Sequence, residues 1–162
     1  MVREISAGGV VIRPVTGSWR MAAIEPQKEP SDSTPDRNKK SHKVILALPK
    51  GLVDPGEKPV ETAAREVREE TGIIAVPVTK LADIKYVYVR TWGDQERVFK
   101  IVSFYLLRYQ SGRIDDIPEE MRIEVKRALW LPLEEAATQL AYSGERTVVR
   151  RAQEYLKLHP EI

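Results

Sequence analysis

Apolar runs rich in β-branched residues punctuate the chain. ISAGGVVIRPV, WRMAAIEP and KVILALP are each bounded by Gly, Pro or polar residues and predict three strands. Between the second and third, residues 25–43 (EPQKEPSDSTPDRNKKSHK) hold three prolines and no large apolar side chain, so the segment has nothing to bury. A polar loop insertion is expected there, either a functional lid or a disordered connector, the two usual fates of loops beyond about 12–15 residues. Downstream, ADIKYVYVRTW and RVFKIVSFYLLRYQ flank the turn-like GDQE and predict a long hairpin, and IEVKRALWLP predicts a further strand. LEEAATQLA and ERTVVRRAQEYLKLH have apolar residues at i, i+3, i+4 and good helix formers, which predicts two late helices. With one earlier helix, this order predicts an α/β (α+β) protein with a mixed β-sheet between helices, and a single domain over residues 1–162.

The earlier helix lies in LPKGLVDPGEKPVETAAREVREETGI. Pro59 suits a first helical turn and Gly72 a left-handed C-terminal cap, so the helix is expected from Pro59 to Thr71. On it Val60, Ala63, Ala64 and Val67 form an apolar arc, and Glu66, Glu69 and Glu70 share an adjoining one. Like charges at that spacing destabilise an isolated helix, so something must offset them. A divalent cation is the natural candidate: Mg²⁺ takes oxygen ligands and keeps waters and substrate phosphates around it. Arg65, one turn before Glu69, can steer that carboxylate or reach back to Glu57. The ordinary alternative is a solvated helix face neutralised in part by Arg65 and Arg68.

Composition narrows the chemistry. At 162 residues and 42% hydrophobic content the chain suffices for one core. No cysteine and only two histidines, His42 and His159, exclude thiolate nucleophiles, disulfides and a histidine-rich metal site. Any metal must therefore be a hard one held by carboxylates. A net charge of +2 is too balanced for a nucleic-acid-coating surface, although a pI near 8.8 permits a local basic patch for a phosphate-bearing ligand. No apolar run approaches the roughly 18 residues of a membrane span, and MVREISAGGVVIR is charged where a signal peptide is apolar. A cytoplasmic monomer or homodimer acting on small molecules is expected, with no membrane and no nucleic-acid polymer as partner.

The segment also carries a known pattern. Gly51, Glu57, Arg65, Glu66, Val67, Glu69, Glu70, Gly72 and Ile73 match G, five residues, E, seven residues, R-E-aliphatic, one residue, E-E, one residue, G-aliphatic. The chain therefore resembles the Nudix hydrolases. AGGVVI, LPKG, KIVSFYLL and EVKRALWLPLEEA with LAYSGERTVV are similar to the subgroup of diadenosine polyphosphate hydrolases and MutT-like nucleotide hydrolases. The polar loop departs from the shorter connection usual there. The resemblance implies a Nudix-type sheet and Mg²⁺-dependent hydrolysis, with Mn²⁺ as a substitute, of a nucleoside diphosphate linked to another group. It implies metal ligation by Glu66, Glu69, Glu70 and the Gly51 carbonyl, support from Glu57 and Arg65, and a further acid outside the box. Glu124 is favoured for that role over Glu119 or Glu120.

For substrate contacts, Lys50 in LPKG is a candidate phosphate ligand, with a solvent-exposed turn lysine as the alternative. Lys43, Arg13, Lys100 and Arg90 are weaker candidates of the same kind. Tyr86, Tyr88, Trp92 and Phe104 offer faces for a base, though aromatics in strands more often pack across the sheet. Arg146 is placed to cap distal phosphates or to be solvated at a helix start. A basic end to the loop, Arg37, Lys39, Lys40 and Lys43, is expected to favour long polyphosphate chains. Dinucleoside polyphosphates, ordinary or oxidised nucleoside triphosphates, ADP-ribose, and sensing of a nucleotide without cleavage are the functions left open.

Overall fold

The first strand, β1 (Val2–Val15), is apolar on both faces because both are covered. In this computed structural model, which describes residues 2–27, 44–91 and 93–162, Val10 and Ile12 join a core with Leu48, Phe104 and Val149 on one side. Val11 joins a second core with Val67 and Leu107 on the other. A strand buried on both sides reads as a continuous apolar run. There follow β2 (Ser18–Pro26), β3 (Lys50–Leu52), α1 (Pro59–Thr71), β4 (Ile73–Val89) and β5 (Arg97–Gly112). A 3-10 turn (Glu119–Ile123) then leads to β6 (Val125–Pro132), α2 (Leu133–Gln139) and α3 (Ser143–Leu158). The strand order is β4-β5-β1-β2-β6 with β3 beside β1; β1 and β5 are parallel, and the other pairings are antiparallel. This is the mixed sheet with helices that the pattern predicted.

On the side away from β5, β1 is shared. Ser6, Ala7 and Gly8 pair with β3, whereas Ile12 through Val15 pair with β2. Residues 46–49 run through the resulting split, so KVILALP is not the strand its apolar run predicted. Ala47 alone forms a bridge, exchanging hydrogen bonds of 2.9 and 2.8 Å with Ile24, while Leu46 accepts from the Ala141 N–H and Pro49 from that of Gly9. The apolar content of the run is real, since Leu46, Ala47 and Leu48 are buried. Its backbone partners come from several elements instead of one ladder.

The α1 bounds are those expected. Gly72 sits at φ 84°, where an L side chain would be strained, and its N–H donates to Arg68 O at 2.9 Å. Three other expectations need correcting. Strand β4 begins at Ile73 and not at Ala82, and it accommodates Pro77 because it is the edge strand and shifts register around that residue. The last strand begins at Val125 and not at Ile123, which belongs to the 3-10 turn. Glu25 and Pro26 belong to β2, so the polar segment starts within a strand; residues 28–43, including Arg37, Lys39, Lys40 and Lys43, and also Trp92, lie outside the described residues.

Candidate active site

The helix that carries the acidic arc is tied to the preceding loop through Arg65. Its Nε and Nη2 donate to the two oxygens of Glu57 at 2.8 and 3.0 Å, and Nη2 also donates to Leu52 O at 3.0 Å. Nη1 donates to Glu66 Oε1 and Glu69 Oε1, each at 3.0 Å. Glu57 further accepts from the Thr62 hydroxyl at 2.6 Å and the Asp54 N–H at 3.1 Å. Hydrogen bonds from Arg65 and Thr62 pull the Glu57 carboxyl down to about 2, and those same carboxylates hold the Arg65 guanidinium above its ordinary pKa. Both options foreseen for Arg65, toward Glu69 and back to Glu57, are realised together.

Glu66 and Glu70, one turn apart, face inward toward β3 at only 8% and 6% exposure. Gly51 permits this closeness, since a Cβ there would collide with the Glu66 carboxylate. Burial, with the neighbouring charges of Glu69 and Glu124 adding to it, pushes Glu66 up to about 7 against the pull of Arg65. Burial and the charges of Glu66 and Glu124 push Glu70 up to about 8 despite a hydrogen bond from the Lys50 N–H at 3.0 Å. Glu124, at the end of the 3-10 turn, thus stands near both carboxylates. Glu69 instead turns to Arg65. Among the described residues no group of three His, Asp or Glu side chains stands close enough to surround an ion.

Lys50 joins this face to a cleft of about 690 Å³ whose lining includes Ile84, Tyr86, Phe104, Tyr142 and Arg146. Its ammonium meets Glu145 Oε2 at 3.0 Å and lies 5.7 Å from the Tyr142 ring centre. Burial opposes the charged form of Lys50, yet the attraction and hydrogen bond of Glu145 hold its pKa above the ordinary lysine value. Arg146 lines the cleft with Nη1 donating to Leu140 O and Ala141 O at 2.8 and 3.1 Å, which fixes the loop before α3. Tyr88 stands outside the lining, its hydroxyl donating to Glu4 at 3.2 Å. Of the weaker candidates, Lys100 pairs with Glu4, Arg90 with Asp94, and Arg13 lies 4.1 Å over the Tyr109 ring.

Two residues of this region were missed in the sequence, Tyr142 and Glu145. A signal for Glu145 existed. With Val148, Val149, Ala152 and Leu156 it falls on the buried stripe of α3, an anomalous place for a charge.

The NUDIX domain matches residues 27–152, which spans the acidic helix, the 3-10 turn and the start of α3. The chain belongs to the Nudix family. A Mycobacterium tuberculosis protein carrying the mutator-protein name MutT4 is 35% identical over 155 residues, covering 96% of this chain and 56% of that protein. This chain thus spans little more than half of that relative. The asymmetrical bis(5'-nucleosyl)-tetraphosphatase of Mus musculus is 32% identical over 114 residues, 67% of this chain and 69% of its own length. Among solved structures, the Ap4A hydrolase of C. elegans in a binary complex superposes with a TM-score of 0.62 at 20% identity, covering 95% of this chain and 98% of that one. That likeness shows that this Nudix chain shares its fold.

Proposed function

We propose that the chain is a divalent-cation-dependent hydrolase. It cleaves a phosphoric anhydride in a nucleoside diphosphate linked to another moiety, with dinucleoside polyphosphates or nucleoside triphosphates, oxidised ones included, as substrates. The observation that carries the reading is the pair Glu66 and Glu70, two buried carboxylates facing the same strand. Burial, more than any neighbouring charge, raises the pKa of both, a cost that a bound cation would offset, and hard carboxylate oxygens suit Mg²⁺ or Mn²⁺. Glu66 and Glu70 would hold the ion, with Glu69 and the Gly51 carbonyl completing the set after a turn of the Glu69 side chain away from Arg65. A bound divalent ion there neutralises phosphate oxygens and lowers the pKa of water.

The chain's own groups take the remaining tasks. Glu124 accepts the proton of the attacking water. Lys50 holds a phosphate between the cleft and the glutamates, and Tyr86 and Tyr142 offer faces to a base. Glu57 and Arg65 keep α1 and its loop in register. The family membership and the relative named as a tetraphosphatase support this substrate class. No helix among the described residues is long and apolar enough to cross a membrane; the reaction is assigned to the cytoplasm, by a monomer or homodimer.

Incubation with Mg²⁺ and a panel of diadenosine polyphosphates, nucleoside triphosphates and ADP-ribose, with products identified in ¹⁸O-water, tests the reading. Glu70→Gln keeps shape and removes charge, so turnover should fall by at least about 10²-fold with the fold intact. Turnover near that of the wild type in Glu70→Gln would sink the assignment. Cleavage of ADP-ribose alone would move the substrate class to nucleoside diphosphate sugars, and binding without any cleavage would make the domain a sensor.

A further inference from the structure

A buried carboxylate on α3, outside the acidic helix, reaches into the same region. Glu145 is 4% exposed and lies in the first turn of its helix, where the unpaired N–H groups and helix dipole favour negative charge. Its two oxygens have separate partners: Oε1 accepts from the Leu48 N–H at 2.8 Å, and Oε2 accepts from Lys50 Nζ at 3.0 Å. Between those two contacts the chain carries Pro49, and directly after them Gly51, against which the Glu66 carboxylate rests. The Lys50 N–H in turn donates to Glu70 Oε1 at 3.0 Å. One side chain thus holds both ends of the Leu48–Lys50 segment, and that segment holds Glu70.

The position is costly unless it has a use. A carboxylate on the apolar stripe of α3 loses its hydration, and replacing a buried ion pair by apolar groups is often neutral or stabilising. Folding alone therefore gives little reason for a charged Glu145–Lys50 pair. A lysine held for a phosphate gives one. A free lysine ammonium on a four-carbon stem samples many rotamers, whereas one drawn to a fixed carboxylate meets its ligand already oriented.

We propose that Glu145 is a positioning residue for hydrolysis: it fixes Leu48 and Lys50 so that the Lys50 ammonium faces the cleft while the Lys50 N–H holds Glu70 at the metal face. This inference rests on the reading of the glutamate face as a hydrolytic site. It carries a kinetic signature. Glu145→Gln leaves an acceptor for the Leu48 N–H, frees the Lys50 ammonium, and removes a negative charge close to an anionic substrate. Ground-state attraction therefore does not fall, while orientation in the transition state does.

The experiment compares wild type, Glu145→Gln, Lys50→Met and the double variant on the best substrate of the panel, with thermal unfolding followed alongside. Glu145→Gln should lower kcat by about 10-fold with KM unchanged or lower, and should have no further effect on kcat in the Lys50→Met background. A kcat within about twofold of wild type would overturn the proposal. So would a multiplicative loss in the double variant, or a rise in KM that merely tracks a lowered melting temperature. If Glu145→Gln alone fails to fold, the double variant, whose buried pair is neutral, decides: kcat equal to that of Lys50→Met supports the proposal and a further loss refutes it. Calorimetric binding of an α,β-methylene nucleoside triphosphate separates the two levels. Wild type that binds the analogue but cleaves nothing in the panel defeats the hydrolase reading, whereas an active wild type with an unaltered Glu145→Gln defeats the positioning role alone.

Discussion

Arg65 shows how much one side chain can organise. It donates to three carboxylates and a carbonyl, and its bonds to Glu57 close the loop between β3 and α1. The pH dependence of this link follows from Glu57, whose folded pKa is lowered from 4.5 to about 2. A depressed carboxylate contributes stability that is fully present above its unfolded pKa and lost as pH falls through the folded one. The contribution should therefore be constant above about pH 5 and decline between about pH 4.5 and pH 2. Thermal unfolding from about pH 6 to about pH 3 should show a shallower acid slope for Glu57→Gln than for wild type, with solvent screening moderating the difference because the pair is partly exposed. Identical slopes would mean that the bidentate contact adds no net stability. In the sequence, the i, i+4 spacing to Glu69 and the backward reach to Glu57 were both visible, since each follows from helix geometry. That one guanidinium would satisfy both was not, because it depends on where the loop returns.

At the scale of elements, the 3-10 turn and its C-cap carry the three candidate acids outside the helix, Glu119, Glu120 and Glu124. Asp115 accepts Arg122 Nη1 and the Ala128 N–H, each at 2.8 Å, and its carbonyl accepts Arg122 Nη2 at 2.8 Å. This network braces the turn. At its end the Glu124 carbonyl accepts from the Gln27 N–H at 2.9 Å, and the Glu124 charge adds to the upward shifts of Glu66 and Glu70. Glu119 and Glu120 lie in the exposed first part of the same turn. Glu124→Gln should thus lower kcat by about 10²-fold with little change in KM, while Glu119→Gln and Glu120→Gln stay within about twofold of wild type. A larger loss in either of the latter would reassign the proton acceptor. The sequence favoured Glu124 through the family resemblance; of the turn itself only Ile123 was read, as the start of a strand, because a short run of i→i+3 hydrogen bonds has no apolar period to betray it.

For the whole molecule, the site is where distant segments meet. α1 brings Glu66 and Glu70, β3 brings Gly51 and Lys50, the turn before β6 brings Glu124, α3 brings Glu145, and the residue that precedes α3 is Tyr142. A cation held there binds the folded chain alone, since the unfolded chain has no such convergence, and so stabilises it by mass action. Mg²⁺ should raise the melting temperature of wild type by a few degrees, and that of Glu66→Gln/Glu70→Gln by much less. Equal shifts in the two proteins would return the acidic arc to a solvated helix face.

What the sequence determined by itself is local. The bounds of α1 follow from Pro59, Gly72 and the 3.6-residue period, the β4–β5 hairpin from its β-branched and aromatic runs, and the acidic pattern from spacing within one helix. These are set by neighbours in the chain. Tertiary structure alone decided that Glu66 and Glu70 turn inward while Glu69 turns to Arg65, although all three share one arc. It also turned KVILALP from a strand into the filling of a split sheet, and it aimed Glu145 at Lys50. The physical reason is the same in each case: burial and hydrogen-bond partners come from residues far away in sequence, and periodicity records which face is apolar but not what that face will meet.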